Sequence, residues 1–143
     1  MARIALSLLL LFATSIAQAS GPVAPKGWAG SFEPTLPNGQ PCCIPADLNG
    51  TNLVGGAFVL LTSSKQEFGI FALTYTPSLK QHWQLLERHP ISQLAGYRVS
   101  VEMRGRFPFE YIKVCAAEAQ CVFYYAPSAK SSFKRSGEVK NER

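Results

Sequence analysis

The single aspartate of this chain, Asp47, opens a pentad with the makings of a cation loop. In Asp47-Leu48-Asn49-Gly50-Thr51 the oxygen-bearing side chains Asp47, Asn49 and Thr51 alternate, and a glycine stands at the turn. A hard cation such as calcium takes about six to eight oxygens, and short side chains at alternate loop positions deliver them inward. A full loop would carry acids where Thr51 and Gly55 stand. One carboxylate, two neutral oxygens and a carbonyl near Leu53 make a sparse set, and affinity follows ligand charge. The preferred reading is an Asx-type turn, in which Asp47 and Asn49 bond their own backbone while Gly50 takes a positive φ. No cofactor is therefore expected, and calcium is the alternative. Asn49-Gly50-Thr51 also fits the glycosylation pattern, which is short and unspecific.

Catalytic sets are thin. A Ser-His-Asp triad needs three groups within reach, and the one aspartate belongs to the turn. His82 and His89 lie seven residues apart and read as edge or surface residues. Ser131-Ser132-Phe133-Lys134 contains an S-x-x-K pattern without the companion motifs that give it meaning. No paired carboxylates stand out for glycoside hydrolysis.

Four cysteines, Cys42, Cys43, Cys115 and Cys121, fall in the part of the chain that would be exported. An even count in an oxidising compartment reads as two disulfides. Zinc fits badly, because no C-x-x-C pair is present and neither histidine lies near a cysteine in sequence. Three pairings are open. Neighbours on a strand point to opposite faces, so at least one of Cys42 and Cys43 is expected to bond to Cys115 or Cys121.

Export is read from the first nineteen residues. Arg3 supplies a positive end, residues 4–16 are apolar, and Ala17-Gln18-Ala19 offers small residues to a signal peptidase. Cleavage before Ser20 leaves 124 residues and a net charge of +4. The expected location is periplasmic or secreted. No later apolar run is long enough for a transmembrane segment. The tail over 128–143 carries five of the basic residues against two glutamates, a net +3, and reads as a solvated end. Nucleic acid is a poor candidate partner for an exported chain without a basic groove motif.

The elements that would position these groups are strands. Residues 20–41 hold five of the ten prolines and four glycines, so they run as an extended arm, with Trp28 and Phe32 available to pin it. Residues 56–62 and 68–76 are apolar on both faces and joined across 63–66, which suits a buried hairpin. In 97–103, Tyr97, Val99, Val101 and Met103 face one way and Arg98, Ser100 and Glu102 the other. Residues 109–114 and 121–126 read as the last two strands. The stretch 78–89 fits either a helix, with Ser78 and Gln81 as a capping box, or a further strand, which its neighbours favour. Residues 90–95, closed by Gly96, suit one helical turn. The expectation is a mainly β chain, a single antiparallel meander sheet with at most one or two short helices. Its organisation reads as signal peptide 1–19, arm 20–41, β-rich domain 42–127 and basic tail 128–143.

The run Cys43-Ile44-Pro45-Ala46-Asp47-Leu48-Asn49-Gly50, followed by two apolar strands, resembles FG-GAP or VCBS-type repeats of small exported bacterial proteins. In those repeats a D-x-N-G-D-G-x-x-D loop precedes the strands of a propeller-like blade. Val122-Phe123-Tyr124-Tyr125, with Phe133-Lys134-Arg135 after it, is similar to the closing strands of stand-alone members. Asp47 and Asn49 match the family's cation ligands, whereas Thr51 and Gly55 depart from them. The resemblance implies a β-rich scaffold over residues 42–135 and no common activity.

Arg98, Arg104 and Arg106, with Glu102, Phe107 and Phe109 nearby, form the surface cluster best suited to a partner, since arginine beside aromatic residues is typical of interface anchors. The functional expectation is an exported, non-enzymatic binding protein with one envelope protein as partner, such as an inhibitor or immunity protein against a cell-envelope enzyme. A small periplasmic hydrolase, its catalytic groups not assigned, and a calcium-dependent structural module are the alternatives. Oligomeric state is not legible.

Overall fold

The computed structural model describes residues 22–28, 36, 38–103, 108–117 and 120–136. They form eight strands: β1 Cys43–Ala46, β2 Gly55–Leu61, β3 Glu67–Tyr75, β4 Gln81–Pro90, β5 Tyr97–Glu102, β6 Tyr111–Ala116, β7 Cys121–Tyr125 and β8 Lys134–Ser136. A 3-10 turn over Ile91–Gly96 separates the first four from the last four. All pairings are antiparallel. The chain thus has the mainly β, antiparallel meander class expected, but the meander is divided into two four-stranded sheets, β1-β2-β3-β4 and β5-β6-β7-β8. The reason lies in β2 and β3, which are buried on both faces. A flat meander would leave one of those faces bare. Turning the second half back over the first covers it.

The main core lies between the sheets. Ala57, Val59, Phe68, Ile70 and Ala72 of the first sheet meet Ile112, Val114 and Tyr124 of the second, with Val99, Val101 and Val122 packed around them. The other face of the first sheet carries Phe58, Leu60, Phe71 and Leu73, packed by Trp28, Ala24 and Trp83. Residues 22–28 of the N-terminal arm lie on this face through Ala24 and Trp28. The indole meets Phe71 edge-on at 4.8 Å, and Trp28 forms an isolated bridge with Thr62. Gly69 provides the seat, because a Cβ there would lie 2.6 Å from Trp28 Cη2. Phe32 and the signal segment 1–19 lie outside the described residues.

The ambiguous stretch is a strand. Leu79 has φ +65° in a turn whose amides close from Leu79 to Thr76 and from Thr76 to Lys80. That left-handed residue ends any helix begun at Ser78. β8 belongs to the second sheet and Phe133 packs on the core, so the folded part runs into the region assigned from sequence to the tail.

The disulfides correct the expected pairing. Cys42 bonds to Cys43, and Cys115 bonds to Cys121. Cys115 and Cys121 are directly opposed across the β6–β7 hairpin, so each has its partner before any distant thiol arrives. Cys42 sits in a bend ahead of β1 rather than within a strand. The alternation that would send adjacent side chains to opposite faces does not apply to it.

Candidate functional site

β4 is an edge strand with a bulge. Opposite β3, Phe71 pairs with Leu85 and Ile70 with Glu87, so Leu86 is the extra residue. Strict alternation from Trp83, which packs on the outer face, would place Glu87 and His89 outside as well. The bulge reverses the phase. Glu87 and His89 now stand opposite Ile70 and Phe68 and face the gap between the sheets.

There they join two tyrosines of the second sheet. Tyr124 Oη donates to Glu87 Oε2 at 2.8 Å. His89 Nε2 lies 2.8 Å from Glu87 Oε1, and Tyr97 Oη lies 3.3 Å from His89 Nδ1. With a Glu87 oxygen as acceptor, Nε2 carries a proton, and in the neutral imidazole Nδ1 then accepts from Tyr97. The rings of His89 and Tyr97 are 4.5 Å apart at 33°, and both lie against Phe68. Glu87 and His89 side chains are only 15% and 23% exposed. Burial pushes the Tyr124 hydroxyl well above the usual phenol range, and its bond to Glu87 and the Glu87 charge add to the shift. Tyr97 is raised for the same leading reason, burial, with Glu87 second.

A histidine held by a carboxylate resembles the base and orienting acid of a hydrolase. Here the other ring nitrogen faces Tyr97, in the place a nucleophile would take. A phenol kept protonated by burial is a poor nucleophile near neutral pH. Both Glu87 oxygens and both His89 nitrogens are engaged within the protein.

The network opens onto a trough of about 420 Å³, which runs along β4 from Gln84 to His89 and is closed on its far side by Tyr124, Phe133 and Arg135. Gln84 sets its end, bonding through its side-chain amide to both the N–H and the C=O of Phe133. Arg88 also lines the trough, but its guanidinium is tied to Glu67 and lies over the Trp28 ring. That contact raises the Arg88 pKa and lowers that of Glu67, in each case first through the hydrogen bond between them.

The sequence candidates are dispersed. His82 is exposed, and the seven residues separating it from His89 along β4 amount to roughly 20 Å. The Asp47 carboxylate closes its own loop, but over a longer span than an Asx turn: Oδ1 accepts from Thr51 N, four residues on, at 3.1 Å and Oδ2 from Asn52 N, five on, at 3.0 Å. Asn49 Oδ1 accepts from Thr51 Oγ1, and Asp47 N donates to Glu110 Oε2. Among the described residues no group of three or more His, Cys, Asp or Glu is assembled. Asn49 is buried, its amide reaching toward the Tyr75 and Ala129 carbonyls, so the sequon is not presented to solvent. Arg98 is exposed on β5, Arg104 and Arg106 lie outside the described residues, and Phe109 packs on Gly50. Ser131 and Lys134 are exposed.

Glu87, Tyr97, Tyr124 and Gln84 escaped sequence reasoning. The Glu87-x-His89 spacing puts two polar groups on one strand face, which is a readable signal, but the two tyrosines join it through the tertiary fold. Comparison with protein-family models, with curated proteins and with solved structures returned no match.

Proposed function

We propose that this chain is an exported binding protein that performs no chemistry of its own, with the trough between β4 and β8 as its working surface. An inhibitor or immunity protein against a cell-envelope enzyme is the specific form. The observation that carries the reading is the saturated network of Glu87, His89, Tyr97 and Tyr124. A general base must reach the proton it abstracts, and the one lone pair of neutral His89 is turned to the Tyr97 hydroxyl. A recognition surface needs side chains locked in place before the partner arrives, which lowers the entropic cost of association. Two cystines and a signal-like leader support an oxidising compartment outside the cytoplasm. The likeness to FG-GAP or VCBS repeats, kept as a proposal of origin, is compatible with sheets that are each a four-stranded meander.

The test is site-specific photo-crosslinking in the native host. A photoreactive residue at Leu85, on the trough, should capture one envelope protein, and the same residue at Lys65 should not. A clean monomer without a crosslink across growth conditions overturns the reading. Turnover of an esterase, phosphatase or muramidase substrate that disappears in His89→Ala would replace it with the hydrolase alternative.

A further inference from the structure

We infer that the trough receives the carboxylate of an acidic side chain carried on an extended segment of the partner, with Arg135 as its charged contact. The inference rests on the binding reading above and deepens it by naming the chemistry of the guest. Two cations line the trough, and they are not equivalent. Arg88 is spent on Glu67 and on the Trp28 ring. Arg135 makes no ion pair among the described residues and is exposed. It stands opposite Tyr124 in the β7–β8 register, so its stem is placed at the wall of the trough. A planar guanidinium with open donors takes a carboxylate in two parallel bonds.

Glu87 does not compete for that role. Its two oxygens are held by Tyr124 and His89, which fixes the carboxylate facing inward. Phe133 and Leu86 supply apolar wall on either side, enough for the stem of a glutamate or an adjacent apolar residue. The bulge at Leu86 decides how the guest is held. It interrupts the row of edge donors and acceptors that an added strand would use, a common protection of exposed edges. The guest is therefore held through side chains and not as a ninth strand. The charge nearby agrees, because residues 128–136 carry Lys130, Lys134 and Arg135 and no acid.

The experiment titrates the full mature chain with a blocked pentapeptide of alternating glutamate and leucine, followed by backbone amide resonances. The glutamine counterpart and free glutarate serve as comparison ligands. The glutamate peptide should shift Gln84, Tyr124, Phe133 and Arg135. The glutamine peptide should bind about tenfold more weakly or worse. Arg135→Gln should lose about the same factor, Arg135→Lys should fall between, and Lys65→Gln should change nothing. An unshifted amide spectrum away from the trough certifies that each variant is folded. Equal affinity for the two peptides, full binding by Arg135→Gln, or no binding at millimolar peptide overturns the inference. Glutarate matching the peptide also overturns it, since the site would then take a free small acid. If the Leu85 crosslink persists in Arg135→Gln, the carboxylate assignment fails while the binding reading stands. Absence of the crosslink in the unaltered chain fails both.

Discussion

The side chain of Gln84 stands in for a peptide unit against Phe133, accepting from its N–H at 2.8 Å and donating to its C=O at 3.2 Å. Gln40 does the same at the opposite edge, donating to Tyr97 O at 3.1 Å and accepting from Val99 N at 3.5 Å. Each edge of the first sheet is thereby tied to an edge of the second by one glutamine amide. The trough lies beside the Gln84 link, between β4 and β8.

Gln84→Ala should cost about 1–3 kcal/mol, because it strands a backbone donor and acceptor at the sheet junction. Gln40→Ala should cost less, its bonds being longer. The two sites are at opposite edges, so the double variant should show the sum. Urea unfolding measures the losses, and hydrogen exchange at the Phe133 amide should accelerate in Gln84→Ala alone.

Stability should fall in alkali. Tyr124 and Tyr97 ionise higher in the folded chain than the ordinary phenol value of 10.0. Above that value the unfolded chain loses these protons first, while the folded chain retains them. The stabilisation is whole below about pH 10 and declines as pH rises toward the folded values. Tyr124→Phe should flatten this decline. It also removes a hydrogen bond to a charged group, so it should lower stability by about 1.5–3 kcal/mol at neutral pH. Unfolding at a series of pH values checks both.

Replacing Cys115 and Cys121 together by alanine should cost about 2 kcal/mol, the chain entropy returned when a loop of this length is opened in the unfolded state. The Cys42–Cys43 bond encloses no chain loop, so its removal should cost less by this mechanism. Parallel thermal melts of the two double variants distinguish them.

Gly69→Ala should unseat the arm. The added methyl meets Trp28 Cη2 at 2.6 Å and Phe71 Cε2 at 2.8 Å, so the indole has to move. A loss of about 1–3 kcal/mol is expected from overpacking. In a Trp83→Phe background the remaining Trp28 emission should shift to longer wavelength as the ring meets water.

Asp47→Ala should release the Thr51 and Asn52 amides and cost about 1–2 kcal/mol. Asp47→Asn keeps one acceptor and should cost about half as much. Chemical denaturation in the presence of a chelator isolates this effect from any cation.

Much of the fold is local and was readable. The double-sided apolar runs of β2 and β3, the alternation of Tyr97, Val99 and Val101, and the turn at Asp47-Leu48-Asn49-Gly50 each follow from side-chain period or backbone preference within a few residues. β1 and β8 were not readable, because strands of four and three residues have too few positions to show a period. Strand alternation does not predict the cystine pairing, because Cys42 lies in a bend.

Residue order thus specified the strands, the arm and the oxidisable thiols, since these depend on neighbours along the chain. Whether the meander stayed flat or doubled back was settled by the need to cover both faces of β2 and β3. The trough arose from that second step. Its acid and imidazole face inward because of one extra residue in β4, and they meet tyrosines 37 and 8 residues away in sequence. Contacts of that kind leave no periodic trace, and packing alone creates them.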